Sequence, residues 1–209
     1  LRTPLNAVMV MSQLIEQDKA APLNTEQRRR LSLIQSGARE MSALIGGLLE
    51  LSQLGRAEVR REWLDLTARA RAVVERLRAA DPGRRVEVTI APGLYAHADP
   101  ALLPSLLENL LGNAWKYTGR RADARVRFGV AAASPSETVY VVEDNGVGFD
   151  RASAAKLFQP FGRLPSGRDF PGHGIGLAGA RRIVERHGGR LWAESTAGVL
   201  TVASATDWK

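Results

Sequence analysis

Glu108-Asn109-Leu110-Leu111-Gly112-Asn113-Ala114-Trp115-Lys116-Tyr117 closes a strongly apolar stretch that starts at Ala101. The stretch reads as one helix, because its leucines and Trp115 recur at the three- and four-residue steps of a core-facing stripe. The polar exceptions share another face. Asn109 and Asn113 stand at i and i+4, and Lys116 follows three residues on. Two amide oxygens and an ammonium on one helical face can hold a hydrated magnesium ion and the phosphates around it. The same asparagines read equally well as buried hydrogen-bonding residues.

The flanks of this helix are mixed. Leu66 to Ala80 reads as a helix closed by Asp81-Pro82-Gly83, and Arg85 to Ile90 alternates like a strand. Ala124 to Ala131 and Thr138 to Glu143 read as strands around a Ser-Pro-Ser loop. Ile175 to His187 reads as a helix stopped by Gly188-Gly189. Arg190 to Glu194 and Val199 to Ser204 read as short strands. This order predicts an α+β domain, with an antiparallel-rich mixed sheet covered by helices on one face, rather than a doubly wound sheet.

Upstream the pattern is purely helical. Leu5, Val8, Ser12 and Ile15 mark one face of a helix over about residues 1–19, with Pro4 in its first turn or at a kink. Ala20 to Asn24 breaks the pattern, and Thr25 is the expected N-cap of a second helix reaching about Leu54. There Leu31, Ile34, Ala38, Met41, Ile45, Leu48 and Ser52 follow a heptad spacing, widened by Leu44 and Leu51. Two helices cannot bury such stripes alone. The hairpin therefore predicts a homodimer paired as a four-helix bundle, the alternative being packing on its own C-terminal domain. Gly55 and the charged run Arg56 to Glu62 mark the junction, giving a hairpin over 1–58 and a second domain over 59–209.

Composition narrows the function. The 209 residues include 29 basic and 22 acidic side chains, a net charge of +7, and no cysteine. Disulfide scaffolds, thiolate metal sites and cysteine nucleophiles are excluded. The basic groups are scattered arginines, with only Lys19, Lys116, Lys156 and Lys209 as lysines. Nucleic acid is accordingly not an expected partner, and an anionic ligand is the better use of part of this charge. No apolar run reaches the ~18 residues of a membrane span, so no membrane contact is expected of this segment. The chain opens on Leu1 rather than methionine, which reads as a fragment or a processed chain.

Three further segments carry chemistry. Glu143-Asp144-Asn145-Gly146-Val147-Gly148-Phe149 follows a strand. Its carboxylate can accept a hydrogen bond from an exocyclic amine, and its glycines let a flat ring approach the backbone. It reads also as a plain Asp-Asn-Gly turn. Gly172-His173-Gly174-Ile175-Gly176-Leu177 precedes a helix and can turn backbone N–H groups toward an anion. It is neither a dinucleotide fingerprint, since loop rather than strand precedes it, nor a Walker loop. Phe158-Gln159-Pro160-Phe161-Gly162-Arg163 leads into the polar stretch Leu164 to Pro171, which reads as mobile. Its phenylalanines are more often core anchors, while Arg163 and Arg168 could reach phosphates.

The order and spacing of the four segments resemble the N, G1, F and G2 boxes of the sensor histidine kinase catalytic domain, over about residues 60–205. Leu1-Arg2-Thr3-Pro4-Leu5 resembles the end of that family's phosphoacceptor motif, His-Glu-x-Arg-Thr-Pro-Leu. Arg163-Leu164, Phe170-Pro171-Gly172 and Arg182 to Gly189 are similar to kinases attached to phytochrome-type or PAS-type sensors. The resemblance implies an ATP-binding α/β sandwich of the Bergerat type with ATP and Mg2+ as cofactors. It also implies phosphotransfer to a histidine, then to an aspartate of a response regulator receiver domain, in the cytoplasm.

The resemblance also assigns residues. Asp144 binds the adenine amine, with Gly146 and Gly148 near the ring. Asn113 ligates magnesium. Asn109, Lys116 and Tyr117 line the nucleotide and its phosphates, Asn109 and Lys116 with catalytic roles. Phe158 to Pro171, with Phe161 and Arg163, forms a lid. Gly172, Gly174 and Gly176 lie beside the phosphates, with Ile175 and Leu177 in the same nucleotide site. Thr3 assists dephosphorylation of the regulator.

Gyrase-like and chaperone-like relatives place a water-activating glutamate where this chain has Asn109. Its nearest acid, Glu108, is rotated by about 100° on a helix. Two departures stand out. The acceptor histidine and its glutamate would fall just before Leu1, and none of His97 (near a strand end), His173 (in the glycine loop) and His187 (closing a helix) replaces it by motif. Each of the three is expected to be structural or exposed, with His173 alone in reach of a phosphate. The run Thr196-Ala197-Gly198-Val199-Leu200 is short and lacks the family's phenylalanine, which leaves the last hairpin open. The alternative function is a non-catalytic dimerisation module with a degenerate nucleotide site.

Overall fold

The computed structural model describes the chain except for residue 1 and residues 18–21, 54–57, 134–137, 165–168, 171, 197–198 and 207–209. No side chain is described at residues 2, 3, 43, 50–53, 132, 133, 151, 152, 196 and 199–206. The chain divides into two units, Leu1–Gln53 and Leu54–Lys209.

The first unit is a hairpin of α1 (Arg2–Gln17) and α2 (Thr25–Gln53). Its second helix starts one residue earlier in capping terms than expected. Asn24 Oδ1 accepts from Gln27 N at 2.8 Å, and Gln27 Oε1 accepts from Asn24 N at 2.9 Å. This reciprocal capping box makes Asn24, not Thr25, the N-cap. The box needs a Gln or Glu three residues on. Gln27 answers Asn24, whereas Arg28 stands three after Thr25.

The heptad stripe splits by position. Leu5, Ser12, Leu31 and Ala38 are buried, while Val8, Ile15, Ile34, Met41 and Leu48 remain 43–53% exposed. Ser12 is tolerated inside because its hydroxyl donates to Met9 O at 2.8 Å.

The second unit runs β1 (Glu62–Asp65), α3 (Leu66–Ala80), β2 (Glu87–Ile90), β3 (Tyr95–Ala98), α4 (Leu103–Tyr117), β4 (Arg125–Ala133), β5 (Thr138–Asp144), a 3-10 helix (Arg151–Phe158), α5 (Gly176–Arg186), β6 (Arg190–Thr196) and β7 (Val199–Thr206). The five-stranded sheet has the order β2-β4-β5-β7-β6, parallel only between β2 and β4. It is the mixed, antiparallel-rich sheet that the sequence predicts. Val126, Phe128 and Val142 share one sheet face and one core with Val73 and Val74 of α3, Leu107 and Leu111 of α4, and Ile183 and Val184 of α5.

Three short elements escaped the sequence reading. β1 and β3 pair only with each other, and the 3-10 helix follows the Asp144 loop. Four-residue strands give periodicity little to work on, and β2 is legible because the alternation from Arg85 to Ile90 is longer than the strand itself. His97 sits in β3 one residue from its end, as expected, opposite Trp63. His187 is structural: buried as the α5 C-cap, it accepts from Asp99 N on Nε2 at 3.0 Å and contacts Ile183 O through Nδ1 at 2.7 Å. Gly188 then turns the chain at φ +77°, a conformation glycine adopts without strain. The last hairpin forms, with Thr196 paired to Val199 across residues outside the described set.

Candidate functional site

Helix α4 supplies one wall of the site. Leu103, Leu106, Leu107, Leu110, Leu111, Ala114 and Trp115 bury its apolar face. That leaves Asn113 and Lys116 only partly buried on the remaining arc. The helix ends at Thr118, fully buried, whose hydroxyl donates back to Ala114 O and Trp115 O at 2.9 Å and accepts from Arg84 at 2.8 Å. The turn that carries Lys116 and Tyr117 is thereby held in place.

Strand parity explains Asp144. Side chains alternate across a strand, so Asp144 falls on the same helix-covered face as Val142. It is 4% exposed at the strand end, and its Oδ1 accepts from Gly146 N at 2.9 Å. Burial pushes this carboxyl up to about 7, only partly opposed by the Gly146 hydrogen bond. A buried carboxyl of this kind waits for a donor. Gly146 has no room for a side chain, since a Cβ there would stand 2.6 Å from Tyr117 O and 2.7 Å from Asp144 Oδ1.

The glycine loop closes the other end. Gly172 (φ +130°) and Gly174 (φ +72°) occupy backbone conformations that disfavour other residues. A Cβ on Gly172 would lie 3.3 Å from Lys116 Nζ, and one on Gly174 would lie 2.8 Å from Gly162 O. The ammonium also stands 4.2 Å from the Tyr117 ring centroid.

Between these parts lies a cleft that opens to solvent. Of the predicted residues, Asn113, Lys116, Tyr117, Gly148, Arg163, Gly172, Gly174 and Leu177 line it. Asp144 and Gly146 sit behind that lining, against Tyr117. Asn109 is set back as well. Its Nδ2 donates to Ser105 O at 2.8 Å, and its Oδ1 abuts Gly176, the first residue of α5. Ile175 caps that helix start outside the lining. Phe158 is in the hydrophobic core, and Phe161 is 49% exposed with φ +64°. Thr3 is on α1 with its side chain undescribed, and Arg168 lies outside the described residues.

The lining also includes Val147 and Phe149 of the Asp144 segment, Gly162 and Leu164 of the expected lid, and Leu157, which lies in none of the four segments. Val147 and Phe149 interleave with Gly146 and Gly148, a signal that apolar walls flank the ring-approach glycines. Leu157 carries no local signal, because only the tertiary fold brings it here. Glu108 faces away, in an exposed ion pair with Arg76 of α3.

Comparison with known proteins agrees with this arrangement. Residues 98–206 match the family described as "Histidine kinase-, DNA gyrase B-, and HSP90-like ATPase", and residues 1–57 match "His Kinase A (phospho-acceptor) domain". The circadian input-output histidine kinase CikA of Synechococcus elongatus is 31% identical over 95% of this chain and 27% of its own length. Cyanobacterial phytochrome B of Nostoc sp. is 29% identical over 95% of this chain and 26% of its own length. The chain thus spans about a quarter of the length of these curated relatives. A structure of full-length ShkA in complex with AMPPNP superposes with a TM-score of 0.70 at 26% identity, covering 99% of this chain and 43% of that one. No helix among the described residues is long and apolar enough to cross a membrane. The cleft, the box order and these matches together show that the chain belongs to the histidine kinase-, DNA gyrase B- and HSP90-like ATPase family, as the kinase core of a sensor histidine kinase with its phospho-acceptor hairpin.

Proposed function

We propose that the second unit binds Mg-ATP in this cleft. In the whole protein, the γ-phosphoryl would pass to a histidine and then to an aspartate of a response regulator receiver domain. One observation carries the reading: a buried, hydrogen-bond-poor carboxyl at Asp144 stands directly behind one end of the cleft's lining, and Lys116 and Gly172 make its other end cationic and glycine-lined. The match to an ATPase family and the ShkA–AMPPNP likeness support the same ligand.

The chain's own groups divide the work. Asp144 accepts from the exocyclic amine of adenine, and Gly146 and Gly148 let the ring lie against the backbone. Lys116 offsets phosphate charge, while Gly172, Gly174 and Gly176 bring backbone N–H groups to the oxygens. Asn113 offers one amide oxygen to magnesium, which suits an ion that keeps waters and substrate phosphates as its other ligands. Magnesium, when bound, supplies charge neutralisation for the transferring phosphoryl group. Asn109, fixed by Ser105, positions the start of α5.

The nucleophile is an imidazole nitrogen, so no water-activating acid is required, and Glu108 is turned away to Arg76. The match of residues 1–57 to a phospho-acceptor domain supports an acceptor imidazole on the hairpin of the whole protein. His187 is committed to Asp99 and Ile183, and His97 lies within β3. Thr3 would assist the reverse reaction at the regulator. The half-exposed heptad residues Val8, Ile15, Ile34, Met41 and Leu48 fit a second copy of the hairpin. A segment that draws on ATP fits a cytoplasmic setting.

Titration with ATP and magnesium tests the reading. Wild type is expected to bind, and Asp144→Ala to lose at least tenfold in affinity. Undiminished affinity in the variant would overturn the adenine site. Acid-labile phosphate on the whole protein after incubation with Mg-ATP tests the transfer itself, and its absence there favours the non-catalytic module.

A further inference from the structure

Phe170 lies near the end of the polar stretch, just before the glycine loop, yet it is only 7% exposed. It sits in a cup at the C-terminal end of α4. Its ring meets the Tyr117 ring edge-on at 5.3 Å between centroids, with the planes at 69°. The Arg120 guanidinium covers it at 5.4 Å from the centroid, and a Cβ on Gly119 would stand 3.6 Å from its Cε1. Its backbone is held as well. Arg163 donates to Phe170 O at 2.7 Å, and the preceding Asp169 pairs with Arg120 at 2.9 Å.

The floor of the cup is rigid, because Thr118 is fully buried and bonded to α4 and to Arg84. Two residues beyond Phe170 comes Gly172, against Lys116 Nζ. A buried aromatic ring on a fixed floor therefore sets where the glycine loop begins relative to the ammonium. The exposed Arg120–Asp169 pair is worth little by itself, so the ring is the anchor and the arginine its cover.

We propose that Phe170 is a positioning residue for the phosphate end of the nucleotide. By docking between Tyr117 and Arg120, it holds the Gly172–Gly174 backbone beside Lys116. This rests on the nucleotide reading above. It predicts that the anchor governs the gain in affinity contributed by phosphates and leaves the adenine end, at Asp144, unaffected.

The test is a titration of the isotope-labelled 209-residue chain with adenosine and with ADP plus magnesium, followed by NMR. In Phe170→Ala, ADP affinity is expected to fall at least tenfold while adenosine affinity stays within twofold. Phe170→Tyr, which keeps the ring, is expected to stay within threefold of wild type for both ligands. Phe170→Leu is expected to lose threefold to tenfold for ADP alone. An unchanged ADP affinity in Phe170→Ala overturns the proposal, as does an equal loss for both ligands, which would mean general loosening. If Phe170→Ala does not fold, an unchanged ADP-to-adenosine ratio in Phe170→Leu overturns it instead. Wild type that binds neither ligand overturns the nucleotide reading itself, a result distinct from wild type that binds both with Phe170→Ala unaffected.

Discussion

The backbone of Gly146 lies so close to the Tyr117 carbonyl that a Cβ at position 146 would stand 2.6 Å from that oxygen. The end of β5 and the end of α4 are thus in direct contact, with Asp144 enclosed beside them. Gly146 is not in the left-handed region, so space rather than backbone strain forbids a larger residue here. Gly146→Ala must push Tyr117 or Asp144 aside. Overpacking of this kind costs about 1–3 kcal/mol. The expected outcome is a melting temperature lowered by several degrees and nucleotide affinity lowered more than tenfold, measured by calorimetric unfolding and titration.

Asp144 makes both binding and stability depend on pH. Its carboxyl titrates at about 7 in the fold, raised by burial. The adenine amine needs an acceptor, so nucleotide binds the ionised form. Affinity is expected to fall as pH drops below about 7, approaching tenfold per pH unit, and Asp144→Asn is expected to flatten the profile. The stability effect has the opposite sense. Between the ordinary carboxyl range and about 7 the unfolded chain gives up a proton that the folded chain keeps, so stability of the ligand-free protein declines as pH rises through that window. Asp144→Asn removes this decline. It is expected to melt several degrees above wild type at pH 8 and near wild type at pH 4, as thermal scans at the two pH values would show.

Glu108 and Asn109 are adjacent in sequence and opposite in role. Glu108 lies in an exposed ion pair with Arg76; exposed pairs contribute about 0–1 kcal/mol. Asn109 is tied to Ser105 and abuts Gly176. Glu108→Gln is expected to leave ATP affinity and ATP consumption within twofold of wild type. Asn109→Ala is expected to lower ATP consumption at least tenfold. A large loss in Glu108→Gln would point instead to a water-activating acid and a gyrase-like ATPase.

Legibility in the sequence followed the length and regularity of each element. α3 spans Leu66–Ala80, as its apolar spacing predicts, and α4 and α5 deviate only at their ends. Asp144 could be placed at a strand end from alternation alone, but its burial follows from which sheet face the helices cover, a tertiary fact. β1 and β3 are hidden because each is short and pairs only with the other, with α3 and β2 between them in sequence. Asn24 was overlooked as a cap because the deciding partner, Gln27, lies inside the helix. The cleft's apolar wall at Leu157 is not legible, since this position does not differ locally from an ordinary core leucine.

The first unit shows in its two heptad positions why a second copy is expected. Leu5, Leu31 and Ala38 are buried within one chain, but Ile34, Met41 and Leu48 on the same helical stripe are about half exposed. Those three recur at seven-residue steps and form an apolar seam left open to water. Placing a charge in a buried seam is strongly unfavourable, whereas on an exposed helix face it costs little. Ile34→Glu combined with Leu48→Glu is therefore expected to abolish dimerisation at micromolar concentration by sedimentation equilibrium, with nucleotide affinity of the second unit retained within twofold. A double variant that still sediments as a dimer would show that the seam is not the dimer interface.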